Sequence, residues 1–71
     1  MKKCHIRNRV RELRAAADEM TQQDLADRVG VTRQTIFAIE KDKYSPSLEV
    51  AFRIARVFGV GLDDVFTFNV D

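Results

Sequence analysis

A guanidinium, a primary amide, an aromatic ring, a lone methyl and an ammonium group follow one another at Arg33, Gln34, Phe37, Ala38 and Lys41. Wound as an α-helix at about 100° per residue, Gln34, Phe37, Ala38 and Lys41 share one side, with Arg33 at the helix start. Thr35, Ile36, Ile39 and Glu40 take the opposite side, which suits a core. The first side carries the groups that tell base-pair edges apart: an arginine fork matches guanine, a glutamine amide matches adenine, and a methyl or ring meets the thymine methyl. A helix of this size fits a major groove about 12 Å wide. Phe37 keeps two readings, groove contact or partial burial, because aromatic rings are more often packed than presented.

Short elements must hold that row in place. Thr21 and Thr32 each stand where a hydroxyl can accept from an unpaired first-turn amide, a cap worth about 1 kcal/mol. Asp24, three residues after Thr21, favours the positive end of the helix dipole and imitates a capping box. Gly30 supplies a left-handed residue to end the first of these helices, and Val31 tucks into the bend before Thr32 opens the second. The spacing therefore predicts helices over residues 22–28 and 33–41, joined by a turn too tight for antiparallel packing, which is a helix-turn-helix with DNA as its partner.

Around this pair, a first helix is expected over residues 8–17, with Val10, Leu13, Arg14 and Ala17 on one stripe, so an arginine points inward. Pro46 cannot continue the third helix. Ser47 caps a fourth over residues 48–58, stopped by Gly59, with Leu48, Ala51, Phe52, Ala55 and Phe58 on one apolar stripe and Val50, Ile54 and Val57 on another. Only Glu49, Arg53 and Arg56 are left for a polar arc, so this is the expected central core helix. A short fifth helix covers residues 62–66, with Gly61 at its cap. Beyond it Phe66, Phe68 and Val70 alternate with polar residues, and residues 3–6 alternate as well, a strand-like period at both ends of the chain.

Composition narrows the function. Seventy-one residues with 45% apolar content make one domain over residues 1–71, whose core only marginally offsets the entropy of folding; a second subunit would help. The net charge of +1 is modest but polarised: Lys2, Lys3, Arg7, Arg9, Arg11 and Arg14 crowd the first fourteen residues against Glu12 alone, whereas after Arg56 the only charges are Asp63, Asp64 and Asp71. Phosphate repulsion should keep the acidic end off DNA while the cations supply the salt-dependent part of affinity. Cys4 is the only cysteine, so no internal disulfide forms, and no apolar run approaches a signal peptide or membrane span; a cytoplasmic protein is expected. Cys4 beside His5 falls short of a zinc ligand set. The lone His5 has no nucleophile spaced around it, and there is no phosphate-cradling glycine loop. No metal, no cofactor and no enzymatic activity are therefore expected, and no effector pocket is legible in so small a core.

With these residues in view the chain resembles the Cro and phage-repressor family of helix-turn-helix proteins, also called the xenobiotic response element family, and most of all its small free-standing repressors. The likeness covers nearly the whole length, through residues 39–48, the run from Ala51 to Ala55 and the run from Leu62 to Phe66. It implies an all-α, five-helix lambda-repressor-like domain with a small antiparallel two-stranded ribbon joining the termini, Lys2 or Lys3 lying near the acidic tail. It also implies that Gln22, Lys41, Lys43 and Tyr44 hold phosphates while Arg33, Gln34 and Phe37 read bases, with Thr32, Thr35 and Ala38 completing the DNA-facing set. An arginine at the place of Arg14 pairs, in that family, with a glutamate at the place of Glu40. One departure stands out: between Leu13 and Thr21 this chain has one residue more than the usual spacing and lacks the usual glycine before Met20.

A single short helix reads too few base pairs for a unique site, so a homodimer on a palindromic operator is expected, its readers about 34 Å apart. Leu62, Val65, Phe66 and Phe68 are the expected interface contacts. A repressor is favoured because the chain ends where the DNA-binding fold ends and occupancy suffices to repress. The alternative is an antitoxin-type protein-interaction module that also binds its own promoter.

Overall fold

Three hydroxyl side chains set where the longer helices begin. In the computed structural model, which describes residues 6–68, the order is β1 (Ile6–Asn8), α1 (Val10–Ala16), α2 (Gln22–Val29), α3 (Arg33–Glu40), α4 (Leu48–Phe58), α5 (Leu62–Val65) and β2 (Phe66–Phe68). The Thr21 hydroxyl accepts from the Asp24 amide at 3.0 Å and Asp24 returns the bond to the Thr21 amide at 3.4 Å, a true capping box. Thr32 accepts from the Thr35 amide at 3.3 Å and Ser47 from the Val50 amide at 3.2 Å. At the other ends, Gly30 at φ 90° and Gly59 at φ 68° terminate α2 and α4 in the left-handed region that a side chain disfavours.

The extra residue after α1 is absorbed by a turn in which two successive non-glycine residues, Asp18 at φ 57° and Glu19 at φ 53°, are left-handed. The Met20 amide then donates to the Arg14 carbonyl at 2.9 Å, which brings the chain to the start of α2. α1 ends at Ala16, and α2 and α3 follow with the expected starts at Gln22 and Arg33.

The expected ribbon forms, and its described part runs on past Ile6 to Asn8. β1 and β2 pair antiparallel with Ile6 opposite Phe68, Arg7 opposite Thr67 and Asn8 opposite Phe66. Asn8, expected in the first helix, instead closes β1, and its Oδ1 accepts from the Val10 amide at 3.1 Å to start α1. Phe66, expected to end the fifth helix, has extended backbone and opens β2. The remainder of the expected strands, residues 3–5 and 69–70, and the expected contact between Lys2 or Lys3 and the acidic tail lie outside the described residues.

Val10, Leu25, Ala26, Val29, Ile36, Ile39, Ile54, Ala55 and Val65 form one core where all five helices meet. Each large aliphatic side chain fully buried there contributes roughly 1.5–3 kcal/mol. Two sequence expectations change. Val65, read as an interface contact, is completely buried in the core of its own chain, which leaves it no surface to offer a partner. Leu48 and Phe52, read as core on α4, are 68% and 53% exposed: the helix turns only Ala51, Ile54 and Ala55 fully inward, and the larger side chains extend past the edge of the small core.

Candidate nucleic-acid interface

α3 is held from behind by Ile36 and Ile39, both buried, so its opposite side has to face outward. Arg33, Gln34 and Lys41 are exposed there, and Phe37 is 45% exposed, so its ring is partly buried yet still open to solvent. The Lys41 ammonium lies 5.6 Å from the centre of that ring, a cation–π distance that gathers an aromatic and a charge into one contact surface. Thr35 is half-buried and its hydroxyl lies 3.0 Å from that of Thr32, so these two side chains are engaged with one another at the helix start. Ala38 is half-buried at the middle of the row.

The base of α3 is tied to two other helices through one carboxylate. Arg14 of α1 grips Glu40 with Nε to Oε2 at 2.7 Å and Nη2 to Oε1 at 3.0 Å, and its Nη1 donates to the Met20 carbonyl at 2.8 Å. The side chains are only 16% and 6% exposed, so the pair expected from the resemblance is present and largely desolvated. Gln22, in the first turn of α2, donates from Nε2 to Glu40 Oε1 at 3.0 Å. That bond holds the amide of Gln22 on the same side of the molecule as α3.

Around these groups lies a polar hollow of about 350 Å³ lined by Arg11, Arg14, Gln22, Phe37, Glu40 and Lys41. Arg14 is committed to Glu40, whereas Arg11 and Lys41 are exposed at its rim. Two cations and an amide about one concavity fit a phosphate oxygen. Arg11, which the sequence reading counted among the N-terminal cations but did not single out for this hollow, stands three residues before Arg14 and so shares its face of α1. After α3 the loop turns through Asp42 at φ 59°, and the Lys43 amide donates back to the Ala38 carbonyl at 2.9 Å. Lys43 and Tyr44 are exposed on that loop, with Tyr44 half out of the surface. The structure therefore brings Gln22, Arg33, Gln34, Phe37 and Lys41 onto α3 and its border, with Lys43 and Tyr44 just beyond its end.

Elsewhere, Leu62 and Phe66 are half-buried and Phe68 is 65% exposed. With Ile6 and Phe52 they line a groove of about 410 Å³, flanked by Asp63, and a smaller one of about 160 Å³ continues over Pro46, Leu48 and Ala51. Among the described residues, no helix is long and apolar enough to cross a membrane.

Comparison with known proteins places this geometry. The helix-turn-helix family model matches residues 10–65, which runs from the first residue of α1 to the last of α5. An uncharacterized HTH-type transcriptional regulator of Methanocaldococcus jannaschii is 50% identical over 66 residues, covering 93% of this chain and 98% of that protein. The cryptic phage CTXphi transcriptional repressor RstR of Vibrio cholerae is 33% identical over 58 residues, covering 82% of this chain and 51% of the repressor. A Bacteroides fragilis protein of known crystal structure shares the fold with a TM-score of 0.75 at 24% identity, over 87% of this chain and 98% of that one. This chain belongs to the helix-turn-helix family of the Cro and phage-repressor type.

Proposed function

We propose that this transcriptional regulator is a homodimeric repressor that reads a palindromic operator by laying α3 in the major groove of double-stranded DNA. The observation that carries the reading is the sidedness of α3: Ile36 and Ile39 are sealed in the core while Arg33, Gln34 and Phe37 stand exposed in a row. Arg33 and Gln34 have the donors and acceptors to address guanine and adenine edges, and the Phe37 ring and Ala38 methyl suit a thymine methyl. Gln22, Lys41, Lys43 and Tyr44, joined by Arg11, border this row and hold the phosphates on either side. Relatives named as transcriptional regulators, one of them a repressor, agree with that assignment.

The dimer reading rests on the second surface. Leu48, Phe52, Leu62, Phe66 and Phe68 are apolar and wholly or partly exposed along adjoining grooves. A 71-residue chain gains much by covering such a patch, and a second copy does so while doubling the reader. Asp63 and Asp64 lie beside the patch, so this side is repelled by phosphates and turned from the duplex. Selection of bound sequences from random duplex DNA tests the whole reading. It should return a two-fold symmetric consensus with half-site centres about 10 base pairs apart. An unstructured pool after several rounds, or protein that sediments only as monomer with and without DNA, would refute it.

A further inference from the structure

Asn8, at the end of β1, is bonded into two other parts of the molecule. Its Oδ1 accepts from the Val10 amide at 3.1 Å, its Nδ2 donates to the Ile39 carbonyl in the last turn of α3 at 2.8 Å, and the same nitrogen donates to Asp42 Oδ1 at 3.2 Å. The other oxygen of Asp42 is held by Arg7 Nη1 at 3.0 Å. Two adjacent ribbon residues thus grasp one carboxylate in the loop that follows α3.

That carboxylate is otherwise hard to explain. At φ 59° Asp42 is in the left-handed region, which glycine enters more freely. It also puts a negative charge between Lys41 and Lys43, the two cations assigned to phosphates. Aspartate tolerates that backbone better than most side chains do, but its charge argues against it here unless the carboxylate has partners, and Asn8 and Arg7 are those partners. An exposed ion pair such as Arg7 with Asp42, at 54% and 32% side-chain exposure, contributes little alone. The two bonds from half-buried Asn8, one to backbone, give the cluster its fixed geometry.

We propose that Asn8, Arg7 and Asp42 form a latch through which the β-ribbon sets the position of the phosphate-contacting loop, residues 41–44, making Asn8 a positioning residue for DNA binding. The inference rests on the reading of that loop as a backbone contact. Because Asn8 is paired with Phe66 in the ribbon, and Phe66 lines the apolar groove, ordering of the ribbon also orders the loop before DNA arrives.

A double-mutant cycle between Asn8→Ala and Lys43→Ala tests the latch, read as affinity of the full chain for a mixed-sequence duplex of about 20 base pairs at low salt. Asn8→Ala should weaken binding about fivefold in the wild-type background and less than about twofold once Lys43 is gone. Equal losses in both backgrounds would overturn the proposal, since mere destabilisation is additive. Asp42→Gly relieves the backbone and removes a negative charge, so without a latch it binds DNA more tightly; with one, it binds more weakly at unchanged thermal stability. Amide exchange without DNA separates the latch from the functional reading. In Asn8→Ala the Lys43 amide should exchange about tenfold faster while the Gly30 amide, bonded to Ala26 at the end of α2, keeps its rate. If Lys43→Ala alone leaves affinity and salt dependence untouched, the phosphate assignment of the loop falls, and unchanged Lys43 exchange in Asn8→Ala overturns the latch itself.

Discussion

Removing the carboxylate of Glu40 should be among the most damaging single changes available to this chain. An exposed ion pair is worth about 0–1 kcal/mol, whereas breaking a buried one by deleting a partner costs about 3–5 kcal/mol because the survivor stays charged without compensation. The pair between Arg14 and Glu40, at 16% and 6% exposure and joined by two bonds of 2.7 and 3.0 Å, belongs with the buried cases. A domain of this length has on the order of 4–10 kcal/mol of stability in all. Glu40→Ala should therefore remove roughly 3 kcal/mol or more and lower the melting temperature by at least about 12 °C. Arg14→Met should do similar harm, since it strands the carboxylate and frees the Met20 carbonyl. The double variant Arg14→Met with Glu40→Leu should lose at least about 2 kcal/mol less than the sum of the singles, because it leaves no buried charge. Urea unfolding followed by circular dichroism gives the three differences, provided the slope with denaturant stays constant. Additive single losses, or single losses below about 1 kcal/mol each, would show that the pair behaves as surface decoration and that α3 is anchored some other way.

Three further outcomes follow from other parts of the fold. Gly30→Ala should cost about 1–2 kcal/mol in urea unfolding, since φ is 90° there. Arg53→Ala in the same chain should not rescue it, although Arg53 Nη1 would lie only 3.3 Å from the added methyl, because the strain is in the backbone. Phe52→Asp, at a site 53% exposed, should leave monomer stability within about 0.5 kcal/mol yet shift sedimentation to the monomer and weaken operator binding at least tenfold; an intact dimer would assign the interface elsewhere. Lys43→Ala should weaken every duplex alike and flatten the salt dependence of binding by about one unit, and a loss confined to one sequence would make Lys43 a base reader instead.

What could be seen from the sequence follows the range of each interaction. Caps and stops are local, so Thr21, Thr32, Ser47, Gly30 and Gly59 delimited α2, α3 and α4 to within a residue. The inward aim of Arg14 and Glu40 was legible from helical period, and the resemblance supplied their pairing. Long-range geometry was less accessible. Nothing local told that Asn8 would serve β1 and the end of α3 at once, because its partners, Ile39 and Asp42, are over thirty residues away. Period alone also overstated burial on α4, since an apolar stripe shows which face is greasy but not whether the core is wide enough to cover Leu48 and Phe52. Val65 proves buried and Phe66 leaves the helix for a similar reason: their order is local, but the point where α5 gives way to β2 is accompanied by pairing with β1 across the chain.

The central claim is that the exposed side of α3 reads base edges, and Gln34 tests it most directly. Binding of wild-type protein and Gln34→Ala should be compared across a set of duplexes carrying every single base-pair change in the selected operator. Loss of discrimination at one position in each half-site, worth about 1–3 kcal/mol, with the remaining preferences intact, is the outcome expected of a base-reading glutamine. A uniform fall in affinity across all the duplexes, or no change at all, would contradict the placement of α3 in the major groove.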